Sequence, residues 1–303
     1  MTVHSFHVGN LRCFTLEGGK QRLDGGAMFG VVPRALWSKR IAPDERNRIP
    51  LAMRCLLVEH PDGLVLIDTG LGNKEDAKFM DIYGVENAGI GGGTRLEDAL
   101  LEIGYKPDEV KWVINTHLHF DHAGGNTTVR RYDGTTVEAG GASDPAVVEL
   151  TFPNATYVVQ KGELEFAEHT NERTRASYIP HNWEAVSRAG KWRFLEGDEE
   201  ILPGIWSHQT PGHVPYHQSI LVQDRGETAV FLADVMPTAA HLPLPWIMGY
   251  DLEPLRTLES KRALMARAAA EGWRLVFEHD PAVASGRAVM DGKQVALQDV
   301  VTA

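Results

Sequence analysis

Within six residues the chain places His117-x-His119-x-Asp121-His122, four side chains of the kinds that hold metal ions. Alternate residues of an extended segment point the same way. His117 and His119 can therefore grip one cation while Asp121 and His122, past the bend, face a neighbouring one. Imidazole and carboxylate without thiolate suit zinc first, with manganese, iron or cobalt as further options. A lone loop histidine is usually a solvated side chain. Four ligands at this spacing, followed by Gly124-Gly125 that let a helix start close by, are the pattern of a site.

The elements that must position these groups can be read on either side. Residues 55–59 and 64–67 are apolar runs around Pro61-Asp62-Gly63, which predicts a hairpin whose second strand ends in Asp68-Thr69-Gly70. Thr94 with Glu97 forms a capping box before Leu96, Leu100 and Ile103 at helical spacing, and Gly104 is the expected stop. The short strand 112–114 runs straight into the His117 motif. A strand at 157–160 precedes a polar stretch bearing Arg173, Arg175, Tyr178, His181 and Trp183, so residues 130–202 are expected to hold an insertion or lid. Arg173, Arg175 and His181 would serve there as a solvated face or as partners of an acidic group.

Further on, 220–222 and 229–232 predict a hairpin about Asp224-Arg225-Gly226 that ends in Ala233-Asp234. Leu255, Leu258, Arg262, Met265 and Ala269 mark a helix between Pro254 and Gly272. Residues 273–277 are expected as a final core strand delivering Glu278-His279-Asp280. Asp68, Asp234 and His279 thus stand at strand ends, as the His117 motif does. Asp68 by itself fits a turn-capping group equally well.

The bulk properties narrow the class. A 43% hydrophobic and 23% charged chain of 303 residues can bury a core, and no Pro, Ser or Gly-rich linker divides it, so one domain over 1–303 is expected. A net charge of −11 without a basic patch argues against nucleic acid. No run of 18 apolar residues is present and the first ten residues lack a signal-peptide pattern, so neither membrane nor export is expected and the cytoplasm is the assigned compartment. Cys13 and Cys55 lie outside any Cys/His cluster and are read as small core residues.

Taken together, Leu66-Ile67-Asp68-Thr69-Gly70, the His117 to His122 motif, Thr210-Pro211-Gly212-His213, Leu232-Ala233-Asp234 and Glu278-His279-Asp280 resemble the metallo-β-lactamase superfamily in kind and order. The resemblance implies an α/β fold, a four-layer αβ/βα sandwich of two mixed sheets with outer helices. It implies two divalent ions per chain: His117, His119 and His213 on the first, Asp121, His122 and His279 on the second, and Asp234 bridging. Asp68 would hold a ligand histidine in its tautomer. His119, where flavodiiron proteins carry Glu, favours a hydrolase. The motifs around His117 and His213 are most similar to the quorum-sensing lactonase and organophosphate-hydrolase branch, whose members are often homodimers.

The implied activity is hydrolysis of a small molecule. A water shared by two cations is acidic enough to attack a carboxylic ester or lactone, with Asp121 passing a proton to the leaving group. A phosphoesterase acting on phosphotriesters or small diesters is the alternative, and a non-catalytic ligand sensor is the reading from another class. Tyr216 replaces the usual second glycine of its motif, and Pro237 stands where such lactonases commonly carry a substrate-contacting Tyr. Met28, Phe29, Trp37, Tyr216, His241 and Trp246 are candidates for an apolar substrate pocket, and ordinary packing is the competing role.

Overall fold

The computed structural model describes residues 3–90, 93–129 and 148–303. The first part of the expected insertion, 130–147, lies outside the described residues. Two compact units are resolved, one of Met1–Ser5, Arg12–Gln21 and Met53–Glu196, the other of Phe6–Leu11, Arg22–Ala52 and Gly197–Ala303. Among the described residues no helix is long and apolar enough to cross a membrane.

The chain opens with strands β1 (His4–Val8) and β2 (Leu11–Asp24), then two short helices, α1 (Gly25–Phe29) and α2 (Arg34–Trp37). Strands β3 (Arg48–His60) and β4 (Gly63–Ile67) form the predicted hairpin, with His60 opposite Gly63. Helices α3 (Ala77–Tyr83) and α4 (Arg95–Glu102) follow, α4 with the Thr94/Glu97 capping box in place. Next come β5 (Val110–Ile114), α5 (Phe120–Ala123), the small pair β6 (Thr127–Val129) and β7 (Val148–Leu150), β8 (Thr156–Gln160), α6 (Lys161–Glu168), α7 (Glu184–Arg188) and β9 (Trp192–Leu195). One seven-stranded sheet runs β1-β2-β3-β4-β5-β8-β9. It is antiparallel at β3·β4 and parallel from β4 through β9. Leu96, Ala99 and Leu100 of α4 pack on Leu57, Leu66, Val113 and Tyr157, an apolar core that the helical spacing predicts.

A second sheet takes β10 (Glu200–Leu202), β11 (Ile205–Gln209), β12 (Gln218–Asp224), β13 (Glu227–Phe231), β14 (Arg274–Val276), β15 (Val283–Asp291) and β16 (Gln294–Thr302) in that order. The hairpin between β12 and β13 turns on Arg225 and Gly226, both at positive φ, which suits a tight two-residue turn. The strand at 274–276 is not the last. β15 and β16 follow it as a long hairpin, so the strand that leads to His279 is held between β13 and β15.

Helix α8 (Pro254–Glu271) has Pro at its start and Gly272 in the left-handed cap, as expected. Its buried face differs from the expected stripe. Thr257, Lys261, Leu264, Met265 and Ala268 point inward, while Leu255 is 76% exposed. Leu264, Met265 and Ala268 pack on Leu221, Val230 and Leu275.

Candidate metal centre

In the first unit, β4 and β5 run parallel, so their C-terminal ends lie together. That brings Asp68 beside the segment leading to His117. Asp68 adopts a left-handed φ of 53° and is fully buried. Its carboxylate accepts the Thr116 backbone N–H (2.8 Å), the Thr116 hydroxyl (2.6 Å) and the His122 ring at Nδ1 (3.0 Å). His117 and His119 have ring centroids 4.5 Å apart, and His117 and His122 4.0 Å, so three imidazoles gather at this strand end. Asp121 and His122 sit on the single turn of α5 that His119 caps. The following Gly124 and Gly125 lie so close to the carbonyl oxygens of Leu71 and Thr69 that a Cβ at either would collide with them, which explains the pair.

Glu163, which the sequence did not single out, and Tyr178 of the expected insertion hold this segment. The Leu118 N–H donates to buried Glu163 Oε1 at 2.9 Å, and the Tyr178 hydroxyl donates to the same oxygen at 2.8 Å. The Tyr178 ring packs edge-on against His119, 4.6 Å between centroids, and the Phe120 N–H bonds the Ser177 carbonyl. Burial and then the Glu163 charge push the Tyr178 phenol well above its ordinary range, so it stays a donor. Gln21 donates its side-chain amide to Asp121 Oδ2. Lys74, buried and pushed down to about 7 by burial, ties the carbonyls of Gly124 and Thr127.

In the second unit, β13 and β14 are parallel, and Asp234 and His279 follow their ends. Asp234 Oδ2 lies 3.0 Å from His213 Nε2, and its Oδ1 3.2 Å from His279 Nε2. His213 Nδ1 meets Asp251 Oδ1 at 3.0 Å, and His279 Nδ1 donates to the Ala52 carbonyl at 2.7 Å. His217 accepts the Asp234 backbone N–H at Nε2 and bonds Thr210 at Nδ1, so it supports the backbone of this site. Asp251 was not visible beforehand. It lies on an irregular loop before α8, and only the fold brings it to His213.

The donor chemistry fits cations. The Ala52 carbonyl can only accept, so His279 carries its proton on Nδ1 and turns the Nε2 lone pair towards a carboxylate oxygen. Asp251 places His213 in the same state, and Asp68 does so for His122, whose Nε2 lies 3.8 Å from Asp121 Oδ1. Two lone pairs facing each other repel unless a positive charge lies between them. The alternative, doubly protonated rings, would bury several imidazolium ions.

The pocket candidates have mixed placements. Met28, Phe29, Trp37 and His241 are buried in a cluster of the second unit with Trp246 against it; Phe29 stacks on His241 at 4.6 Å and on Trp37 at 5.4 Å. His241 bonds the Met28 carbonyl at Nε2 (2.8 Å) and Thr238 at Nδ1 (2.7 Å), which accounts for it as packing. Tyr216 is exposed and lies outside that cluster.

Comparison with known proteins agrees with this architecture. The metallo-beta-lactamase superfamily signature matches residues 50–279. The chain is 31% identical over 247 residues to an N-acyl homoserine lactonase of Bacillus thuringiensis, covering 76% of this chain and 82% of that one. It is 30% identical over 198 residues to an N-acyl homoserine lactonase of a Bacillus species, spanning 63% of that relative's length. Among solved structures, a "probable metal-dependent hydrolase" from Staphylococcus aureus superposes with a TM-score of 0.83 at 28% identity, covering 98% of this chain and 100% of that one. The dizinc quorum-quenching lactonase AidC superposes at 0.74 with 18% identity, over 98% of this chain and 96% of that one, a likeness of fold. The chain belongs to the metallo-beta-lactamase superfamily and has its mixed α/β fold. Kinship with lactonases supports a metal-dependent hydrolase.

Proposed function

We propose that the chain is a dinuclear metal-dependent hydrolase of carboxylic esters or lactones. The observation that carries this is Asp234, whose two oxygens face two different imidazoles, each protonated on its far nitrogen. A carboxylate so divided suits a bridge between two cations. In this reading His117, His119 and His213 would hold one ion, Asp121, His122 and His279 the other, and Asp234 would be shared. Nitrogen and oxygen donors without thiolate favour zinc.

Two such ions, when bound, acidify water and polarise a carbonyl. The chain's own residues do the rest. Asp68, Asp251 and the Ala52 carbonyl keep the Nδ1 protons of His122, His213 and His279 in place, so that no ligand changes tautomer during turnover. Asp121, steadied by Gln21 on Oδ2, is the group that would take a proton from the attacking water and pass it to the departing alkoxide. Pro237, where lactonases of this branch commonly carry Tyr, lends its carbonyl to the His279 N–H at 3.1 Å.

Metal analysis on purified protein, joined to a panel of aryl esters, lactones and phosphotriesters, tests this. About two divalent ions per chain are expected, with turnover of lactones or esters above phosphotriesters and loss of activity in His117→Ala. A metal-loaded His117→Ala protein with undiminished turnover would refute it, and preference for phosphotriesters would move the substrate class.

A further inference from the structure

A single buried ammonium gathers the loop that follows Asp234. Lys261 lies on the inward face of α8, and its Nζ donates to the carbonyl oxygens of His241, Pro243 (2.9 Å), Leu244 (3.4 Å) and Trp246 (2.8 Å). Lysine is almost never fully buried without a paired carboxylate. Here the partial charges of one loop's carbonyls replace that partner, and the acidic group near enough to act on the ammonium is Asp251. Burial pushes Lys261 down to about 7, and Asp251 opposes the shift. An apolar residue at this position would leave the four carbonyls facing a group with nothing to donate.

The rest of the loop is tied to the same frame. The His241 N–H bonds the Thr238 carbonyl, Trp246 N–H that of Pro243, and Gly249 N–H that of Ala27. At its far end Asp251 meets the His213 ring, and the next residue, Leu252, donates its N–H to the His213 carbonyl at 3.1 Å. Lysine, loop, Asp251 and His213 form one continuous run of contacts inside the second unit.

We propose that Lys261 is a positioning residue: by gathering the 241–246 carbonyls it folds the 238–251 loop, and through Asp251 at the loop's end it sets the orientation of the His213 ring towards a cation. The second half rests on the dinuclear reading above; the first half does not. Nothing in the ligand motifs assigns a role to this lysine, which no proposed ligand touches.

Three variants test it: Lys261→Met, Asp251→Asn, and Ala268→Gly as a control that weakens the same helix from its core face. Hydrogen exchange is followed on the metal-free proteins, and cobalt binding is followed by its visible spectrum and by competition with a chelator. In Lys261→Met the 241–251 amides should exchange at least ~10-fold faster while those of β12 and β13 keep their protection. One cobalt ion should also bind about 10- to 100-fold more weakly, with a changed band. Asp251→Asn should show the cobalt defect with the 241–246 amides still protected, and Ala268→Gly should show neither. Unchanged exchange in Lys261→Met overturns the loop role, and fast exchange with wild-type cobalt affinity and spectrum overturns the link to His213. If Lys261→Met does not fold, Lys261→Gln, whose amide still has two protons to donate, carries the same comparisons. A wild-type protein that binds no cobalt would sink the dinuclear reading and with it the second half, while the exchange data still decide the first.

Discussion

Asp68→Asn isolates the tautomer argument, because it changes one atom and leaves the backbone alone. Asp68 has φ of 53°, a left-handed conformation that Asn tolerates and Ala does not, so the amide adds no strain. The carboxylate accepts three bonds, and the Asn side chain has one oxygen to meet them. The Thr116 backbone N–H at 2.8 Å cannot reverse its polarity, so the amide oxygen must face it and the amide nitrogen must take the other position. There it meets the Thr116 hydroxyl, which can rotate and accept, and His122 Nδ1, which now has to accept as well. The proton of His122 moves to Nε2, and the lone pair that a cation needs is gone. Loss of an outer partner of this kind costs about 10- to 100-fold in metal affinity, or about 1.4–2.7 kcal/mol. Chelator competition reads the affinity, and nitrogen NMR of the metal-free protein reads the tautomer directly. Both cations held as tightly as in wild type, with His122 still protonated at Nδ1, would refute the reasoning.

Other consequences are nearer to stability. Glu163→Gln keeps an acceptor oxygen for Leu118 and Tyr178 and should fall within about 1 kcal/mol of wild type in urea unfolding, whereas Glu163→Ala strands two buried donors at about 1–3 kcal/mol each; equal stability of the two variants would show that this oxygen does not hold the His117 segment. His241 is held down to about 3, first by burial and then by Lys261 against the Met28 carbonyl, so the unfolded chain takes up a proton near pH 6.5 and the folded one does not. Its contribution is therefore complete above pH 6.5 and is lost as pH falls towards 3, at about 1.4 kcal/mol per pH unit. Urea midpoints of wild type and His241→Gln should diverge in slope below pH 6.5, and parallel lines would contradict this. Burial and the Glu59 charge push the Cys13 thiol up to about 12, so iodoacetamide at pH 8 should leave Cys13 unmodified until urea is added.

Strand ends were readable because their signals are local. Leu66-Ile67 before Asp68 and Val113-Ile114 ahead of the His117 motif are apolar runs that stop at polar groups, and a parallel pair then brings such stops to one sheet edge. The same logic found Asp234 and His279 behind β13 and β14. It missed β15 and β16, whose apolar residues such as Val283, Val295 and Leu297 stand among polar ones and pack only in part against the core, so no continuous run marks either strand. Orienting groups were hidden for a related reason. Asp251, Glu163 and Ala52 act on rings or amides at least 38 residues away in sequence, so no spacing announces them. Helix α8 shows the difficulty most sharply. Leu255, Leu258, Met265 and Ala269 suggest an apolar stripe that passes Arg262, yet the helix is rotated so that Thr257 and Lys261 face inward. Periodicity weighs each side chain by its hydrophobicity and so assigns a lysine to solvent. The carbonyls that make burial of Lys261 tolerable belong to a loop about 15–20 residues earlier, and they become a ligand for the ammonium only after the loop has folded around it. A buried cation of this kind can be recognised in coordinates by counting its acceptors, and it has no counterpart in a hydropathy pattern.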